Sequence, residues 1–202
     1  LYVDGKCLII PGLVDLHVHA PQYTYRGLGM DKELLDWLQT YAFPEESRYE
    51  DPDYAERAYR IFVEKMRTNA TTRACIFATA HVPATLLLME MLEKSGLITY
   101  VGKVSMDRNA PAPLCEESPA VAAAAVEKWL KTSLKKYKNT KPMLTPRFIP
   151  SCTDELLTFL GRFQKKYHVP VQSHLSENLS EIAWVRELCP YSSDYGEAYE
   201  HF

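Results

Sequence analysis

Short apolar or β-branched runs alternate with longer amphipathic stretches along the whole chain, and this alternation constrains the fold more than any other feature. The runs are "LVDLHVH" (13–19), "TTRACIFAT" (71–79), "TYVGKVSM" (99–106), "KPMLTPRF" (141–148) and "VPVQSH" (169–174). Helical patterns cover 32–41, 53–68, 84–95, 118–137, 153–167 and 178–188. Strand and helix in regular succession predict a parallel sheet joined by crossover helices, not an all-α or all-β domain. Start signals support several helices. Ser118 precedes Pro119, and Ser151 or Thr153 can cap the helix that follows them. "AVAAAAVEKWL" is a strong helix former and needs no functional reading. No fixed-period repeat or low-complexity linker divides the chain.

Two of the runs end in histidine, the first in His17 and His19 and the fifth in His174. In a (β/α)8 barrel the groups that do chemistry sit at the C-terminal ends of the strands. His17 and His174 lie 157 positions apart, so four βα units between them average about 39 residues, enough for a strand and its crossover helix. A closed barrel needs eight units and roughly 250 residues, whereas 202 residues hold about five. The expected fold is therefore α/β, a (β/α)8 TIM-type barrel of which the chain covers about the first five βα units.

Composition excludes some classes of function. A net charge of −3 gives no electrostatic footprint for nucleic acid, and the basic cluster in "KTSLKKYKN" reads as the solvated face of a helix. No apolar run approaches the roughly 20 residues of a membrane-spanning helix, so no membrane partner is expected. The first ten residues lack the basic region and small-residue cleavage site of a signal peptide. They also lack Met, which predicts a natural start further upstream. The five cysteines, at 7, 75, 115, 152 and 189, include no C-x-x-C pair. They are expected as free, mostly buried thiols in a reducing cytoplasm.

The pair "HVH" carries the first chemical signal. Residues i and i+2 of a strand project to one face, so His17 and His19 point the same way. Converging imidazoles at a barrel rim suit one zinc ion or a similar divalent metal, with hydrogen-bonded core histidines as the plainer alternative. "VQSHLSE" adds His174 at a strand tip and Glu177 three residues on, just before the next helix. Glu177 is then either a helix-dipole carboxylate or an acid within hydrogen-bond reach of a water on the metal. His81 lies just past the second strand and is at most a supporting group. His168 precedes its strand and belongs to the stability end, and His201 is uninformative. "YTYRGLGMDKELLDWLQTYAFPEE" forms a long rim insertion, suited either to a lid or to ordinary packing of a Leu/Trp/Tyr stripe.

"PGLVDLHVHA" together with "QSHLSE" resembles the amidohydrolase superfamily of metal-dependent barrel hydrolases. Within it, the guanine deaminases are the closer resemblance, through "HAPQY", "WLQTYAFPEE", "TTRACIFAT", "YVGKVSMD", "TPRFIPSC" and "QSHLSEN" in order along nearly the whole chain. The resemblance implies hydrolytic deamination of guanine, a small-molecule substrate, to xanthine and ammonia. His17, His19 and His174 would be ligands to one zinc ion per site, with iron an alternative. Glu177 would shuttle protons, and Gln22, Arg147, Phe148 and Gln172 would contact the purine, Arg147 through its carbonyl oxygen and Phe148 by stacking. Without the resemblance, Arg147-Phe148 reads as a surface salt bridge beside a core aromatic. A homodimer is the usual assembly of such enzymes.

The same resemblance implies a further histidine and an aspartate from later strands, where the chain after Glu177 offers only Asp194 and His201. It also implies that residues 1–10 are the last strand of a small flanking β-sandwich and that 11–202 are the N-terminal part of the barrel. A longer enzyme, of which this is a part, is thus expected. The alternatives are a related hydrolase acting on another aminated or halogenated heterocycle, and a metal-binding scaffold without turnover.

Overall fold

A computed structural model describes residues 9–202. Most of the strand expected at residues 1–10, including Cys7, lies outside the described residues. Four strands, β1 (Leu13–His19), β2 (Thr71–Phe77), β3 (Ile98–Gly102) and β5 (Thr140–Pro142), form a parallel sheet in the order β1-β2-β3-β5. A second parallel pair, β4 (Val104–Ser105) and β6 (Thr145–Pro146), extends β3 and β5 toward their C-terminal ends. The crossover helices are α3 (Pro52–Thr68), α4 (Val82–Ser95), α5 (Pro119–Lys136) and α6 (Asp154–Tyr167). This is the strand–helix alternation of a TIM-type barrel through about five units. Among the described residues the arc is open, with β1 at one edge and residues 169–174 at the other.

The fifth run differs from its expected form. It joins the sheet through one bridge, Leu144 to Val171. Leu144 N–H donates to the Pro170 carbonyl and Gln172 N–H to the Leu144 carbonyl, both at 2.9 Å. Pro142, Pro146 and Pro170 supply no N–H to a ladder, so regular pairing is interrupted here although the strand direction is kept. The pattern expected as one helix over 32–41 is also broken. It becomes α1 (Leu34–Trp37), a π-helical turn (Leu38–Ala42) and α2 (Phe43–Ser47). Pro44 cannot donate to the Thr40 carbonyl, which removes one i→i−4 bond and favours the wider turn.

Caps explain the helix starts. Ser118 accepts from Val121 N–H at the head of α5. Thr153, not Ser151, accepts from Leu156 N–H at the head of α6, because Ser151 is already held in a 3-10 turn (Ile149–Ser151). At the other end of α6, His168 adopts the left-handed conformation (φ 52°) of a helix C-cap, a structural role as expected.

Two apolar clusters hold the arc. The larger gathers buried faces of the helices against the sheet, with Tyr59 and Phe62 of α3, Leu88 and Leu92 of α4 and Trp129 of α5. The smaller contains Phe77, Val104, Met106 and Phe148 with Tyr25, Leu38 and Phe43 of the rim segment, and it supports the site. Between the clusters the interior is tight. A Cβ on Gly102 would overlap Thr145 Oγ1 and come within 2.8 Å of Gln172 Nε2. Gly102→Ala in the intact protein is expected to cost about 1–3 kcal/mol by overpacking. Urea denaturation checks it, and an unchanged midpoint would contradict the close approach.

Candidate metal centre and substrate cavity

β1 and the 169–174 segment deliver three imidazoles to one point. Ring centroids lie 5.1 Å apart for His17–His19 and 5.0 Å for both His17–His174 and His19–His174. One potential ligand atom from each lies within 4.8 Å of the others. Pairing of β1 with β2 slips between Asp15 and Val18, yet the i, i+2 histidines still meet. His17 is exposed, His174 half-buried and His19 buried at 8% exposure.

Phe77 forms the floor. It ends β2, pairs with His19 in register, and is completely buried. The His19 ring stacks on it at 4.3 Å and 12°, and the His174 and His17 rings lie at 4.6 Å and 5.0 Å. Nothing in the second run, read alone, connected Phe77 with the histidines.

Hydrogen bonding defines the donor set. His174 Nδ1–H donates to the Arg147 carbonyl at 2.7 Å, which fixes the tautomer with its Nε2 lone pair free. That atom faces His19 Nε2 at 2.9 Å, while His19 Nδ1 is buried without a partner. Neither tautomer of His19 satisfies both of its nitrogens. Burial, then the neighbouring His174, Arg147 and His17, hold His19 well below the usual imidazole range. Burial lowers His174 to about 4, against the opposing pull of its bond to the Arg147 carbonyl. Both rings are therefore neutral at neutral pH, the form that ligates a metal. Two nitrogens on one tetrahedral zinc stand about 3.4 Å apart, inside the spread found here. The donor set fits a divalent ion.

The histidines open onto a cavity of about 330 Å³, also lined by Gln22, Arg147, Phe148, Glu177 and five residues of the rim. That is room for a planar bicyclic heterocycle. Glu177 is exposed at the cavity mouth; partial desolvation there and then the nearby Glu181 push its carboxyl above its ordinary value, while Arg147 pulls it down. Glu177 is not in a helical first turn, because α7 (Leu179–Leu188) is capped by Asn178 and its first-turn acid is Glu181. The rim insertion contributes Tyr23, Arg26, Leu34, Trp37 and Leu38 to the lining, so two of its aromatics, Tyr23 and Trp37, face the cavity, and Trp37 also packs on Tyr25.

Gln172 does not line the cavity. Its amide donates to the Ile76 carbonyl at 3.2 Å and to Thr145 Oγ1 at 3.0 Å. His174, two residues on, does line the cavity. The ion pair of Arg147 is not at the surface. Its side chain is 3% exposed and bonds Glu46, which is 1% exposed, and its guanidinium lies 5.2 Å from the Phe43 ring. Nothing in "FPEES" distinguishes Glu46 from Glu45, so sequence reasoning missed it. Of the remaining candidates, Asp194 caps α8 (Tyr195–Glu200) and the His201 ring packs on Tyr191 at 4.7 Å. His81 lines a separate hollow with Tyr49 and Glu50.

Among the described residues no helix is long and apolar enough to cross a membrane. The described cysteines are all free.

Comparison with known proteins follows this geometry. Residues 8–197 match the Amidohydrolase family. The chain is 41% identical over 198 residues to guanine deaminase of Dictyostelium discoideum, covering 98% of this chain and 44% of that protein. It is 42% identical over 192 residues to the Rattus norvegicus guanine deaminase, covering 95% and 42%. It also superposes with a TM-score of 0.93 and 48% identity on a crystal structure of guanine deaminase from C. acetobutylicum with guanine bound in the active site, covering 96% of this chain and 46% of that one. The chain thus spans less than half the length of the relatives it matches.

Proposed function

The chain belongs to the amidohydrolase family, and from that premise we propose that the whole protein converts guanine to xanthine and ammonia by hydrolysis. The carrying observation is the meeting of His17, His19 and His174 with Glu177, Arg147, Phe148 and Gln22 in a single cavity. The choice of guanine is supported by the guanine deaminases to which the chain is 41–48% identical.

His17, His19 and His174 would hold a single divalent ion, zinc or iron. When bound, such an ion supplies Lewis acidity that lets water act as a nucleophile near neutral pH. Glu177 accepts a proton from the attacking water. It delivers that proton to the ring nitrogen beside the aminated carbon, then takes the proton of the hydroxyl now on that carbon and passes it to the amino group, so that the C–N bond breaks, ammonia leaves and a carbonyl remains. A carboxyl raised above its ordinary value by partial desolvation and the neighbouring Glu181 suits both halves of this traffic. Phe148 offers a face for the purine, Arg147 donates to its carbonyl oxygen, and Gln22 contacts the ring edge. Trp37, Leu34 and Leu38 shield the reacting face from bulk water. We assign the domain organisation by the same premise, with residues 11–202 as the first part of the barrel. The assembly is proposed to be a cytoplasmic homodimer.

Arg147→Lys keeps a cation for Glu46 but loses the forked guanidinium. In the intact protein it is expected to lower kcat/KM for guanine by about 10–100-fold, the worth of one charge-assisted hydrogen bond, with metal content unchanged. Xanthine formation followed by absorbance, with metal analysis in parallel, checks this. Loss of the metal instead would contradict a substrate-facing Arg147. Adenosine and triazine substrates run beside guanine test the heterocycle itself, and faster turnover of either would overturn the proposal.

A further inference from the structure

Glu46 is a buried acid in no contact with the cavity. It lies on α2 in the rim segment, 101 positions from Arg147 in the chain, and is absent from the cavity lining that includes Arg147. Its Oε2 accepts from Arg147 Nη1, and its Oε1 is buried with no hydrogen-bond partner. Tyr25, Tyr49 and Tyr59 are buried close enough to sense its charge, but none of their hydroxyls bonds it. The carboxylate is therefore held by Arg147 alone among the described residues. Such a group has one evident use for its burial, which is what it does to the guanidinium.

Two consequences follow. The ion pair engages Nη1, and among the described residues Nη2 and Nε make no hydrogen bond. A planar guanidinium pinned at one corner, with the Phe43 ring 5.2 Å away, has a fixed free edge. Glu46 also neutralises a cation that stands beside three imidazoles suited to a divalent ion, where an uncompensated positive charge would weaken metal binding.

We propose that Glu46 is a positioning residue that clamps Arg147 from outside the cavity, aims the free guanidinium edge at the ring oxygen of an oxo-purine, and so sets a preference for 6-oxo over unsubstituted purines. This rests on the proposed function, which supplies the purine. A site built to hydrogen-bond one oxygen discriminates strongly against a ligand lacking it. That discrimination is lost once the donor swings free.

The test compares inhibition of guanine turnover by hypoxanthine, which carries the 6-oxygen, and by purine, which lacks it, in the intact protein. Inhibition constants do not depend on the fraction of folded enzyme, and general damage to the fold weakens both ligands together. Glu46→Gln is expected to lower the hypoxanthine-over-purine preference by at least about tenfold, the low end for a charge-assisted hydrogen bond, and Arg147→Lys by a similar factor. If Glu46→Gln does not accumulate as folded protein, Glu46→Asp keeps the charge one methylene short and should move the preference in the same direction. A preference that falls in Arg147→Lys but holds in the Glu46 variants overturns the inference and leaves the role of Arg147 standing. A preference that holds in every variant overturns both. Absence of guanine turnover in the parent protein removes the proposed function, and this inference with it.

Discussion

His174→Ala in the intact protein is expected to abolish stoichiometric metal binding and to reduce guanine turnover by about 10³-fold or more. The size follows from the Lewis acid's share of transition-state stabilisation, several kcal/mol, with each ~1.4 kcal/mol a factor of ten in rate. The site gives a reason to choose His174 over His17. His174 is tied through Nδ1 to the Arg147 carbonyl and presents Nε2 to His19 at 2.9 Å, so its loss removes a ligand and also the fixed partner of another. His17 is exposed and makes no such bond among the described residues. His17→Ala should weaken the metal less. Elemental analysis after dialysis, together with kcat, measures both effects. Full metal occupancy in His174→Ala would remove the imidazole trio as the centre of the site.

Glu177→Gln is expected to lower kcat by about 10²–10⁴-fold, the usual worth of a positioned general acid or base, while the metal stays bound. The amide keeps the size of the side chain and neither gains nor loses a proton near neutrality. Because Glu177 lies outside α7, whose start is secured by Asn178 and Glu181, the substitution touches neither cap nor helix. Thermal stability should stay within about 0.5 kcal/mol of the parent, as for other changes away from packing and caps. A variant that loses stability but keeps kcat would reassign Glu177 to the structure of the loop. A variant that loses the metal would make it a ligand.

These predictions draw unequally on what the sequence discloses. The long crossover helices and α7 were legible to within about two residues at each end, because amphipathic period and capping residues are local, whereas the rim helices and α8 were not. Ser118 caps where its hydroxyl predicted, and of the two candidates Ser151 and Thr153 it is Thr153 that caps α6. Prolines were the local signal given too little weight. Pro44 splits the first helix, and Pro142, Pro146 and Pro170 interrupt the fourth and fifth strands. In the site, strand parity paired His17 with His19, and the C-terminal end of a run marked His174. Gln172 was expected at the purine only through the resemblance, and its amide instead bonds the Ile76 carbonyl and Thr145 Oγ1.

What the chain determined by itself is the alternation of strand and helix and the convergence of His17 with His19, since periods of 2 and 3.6 are properties of a single segment. Tertiary structure alone decided that Phe77 lies beneath all three imidazoles, that Gln172 fills the space Gly102 leaves, and that Glu46 rather than Glu45 meets Arg147. Each of those pairings joins segments far apart in the chain. They form only when parallel strands settle into register and the rim folds back across them, and no periodicity within either segment encodes that distance.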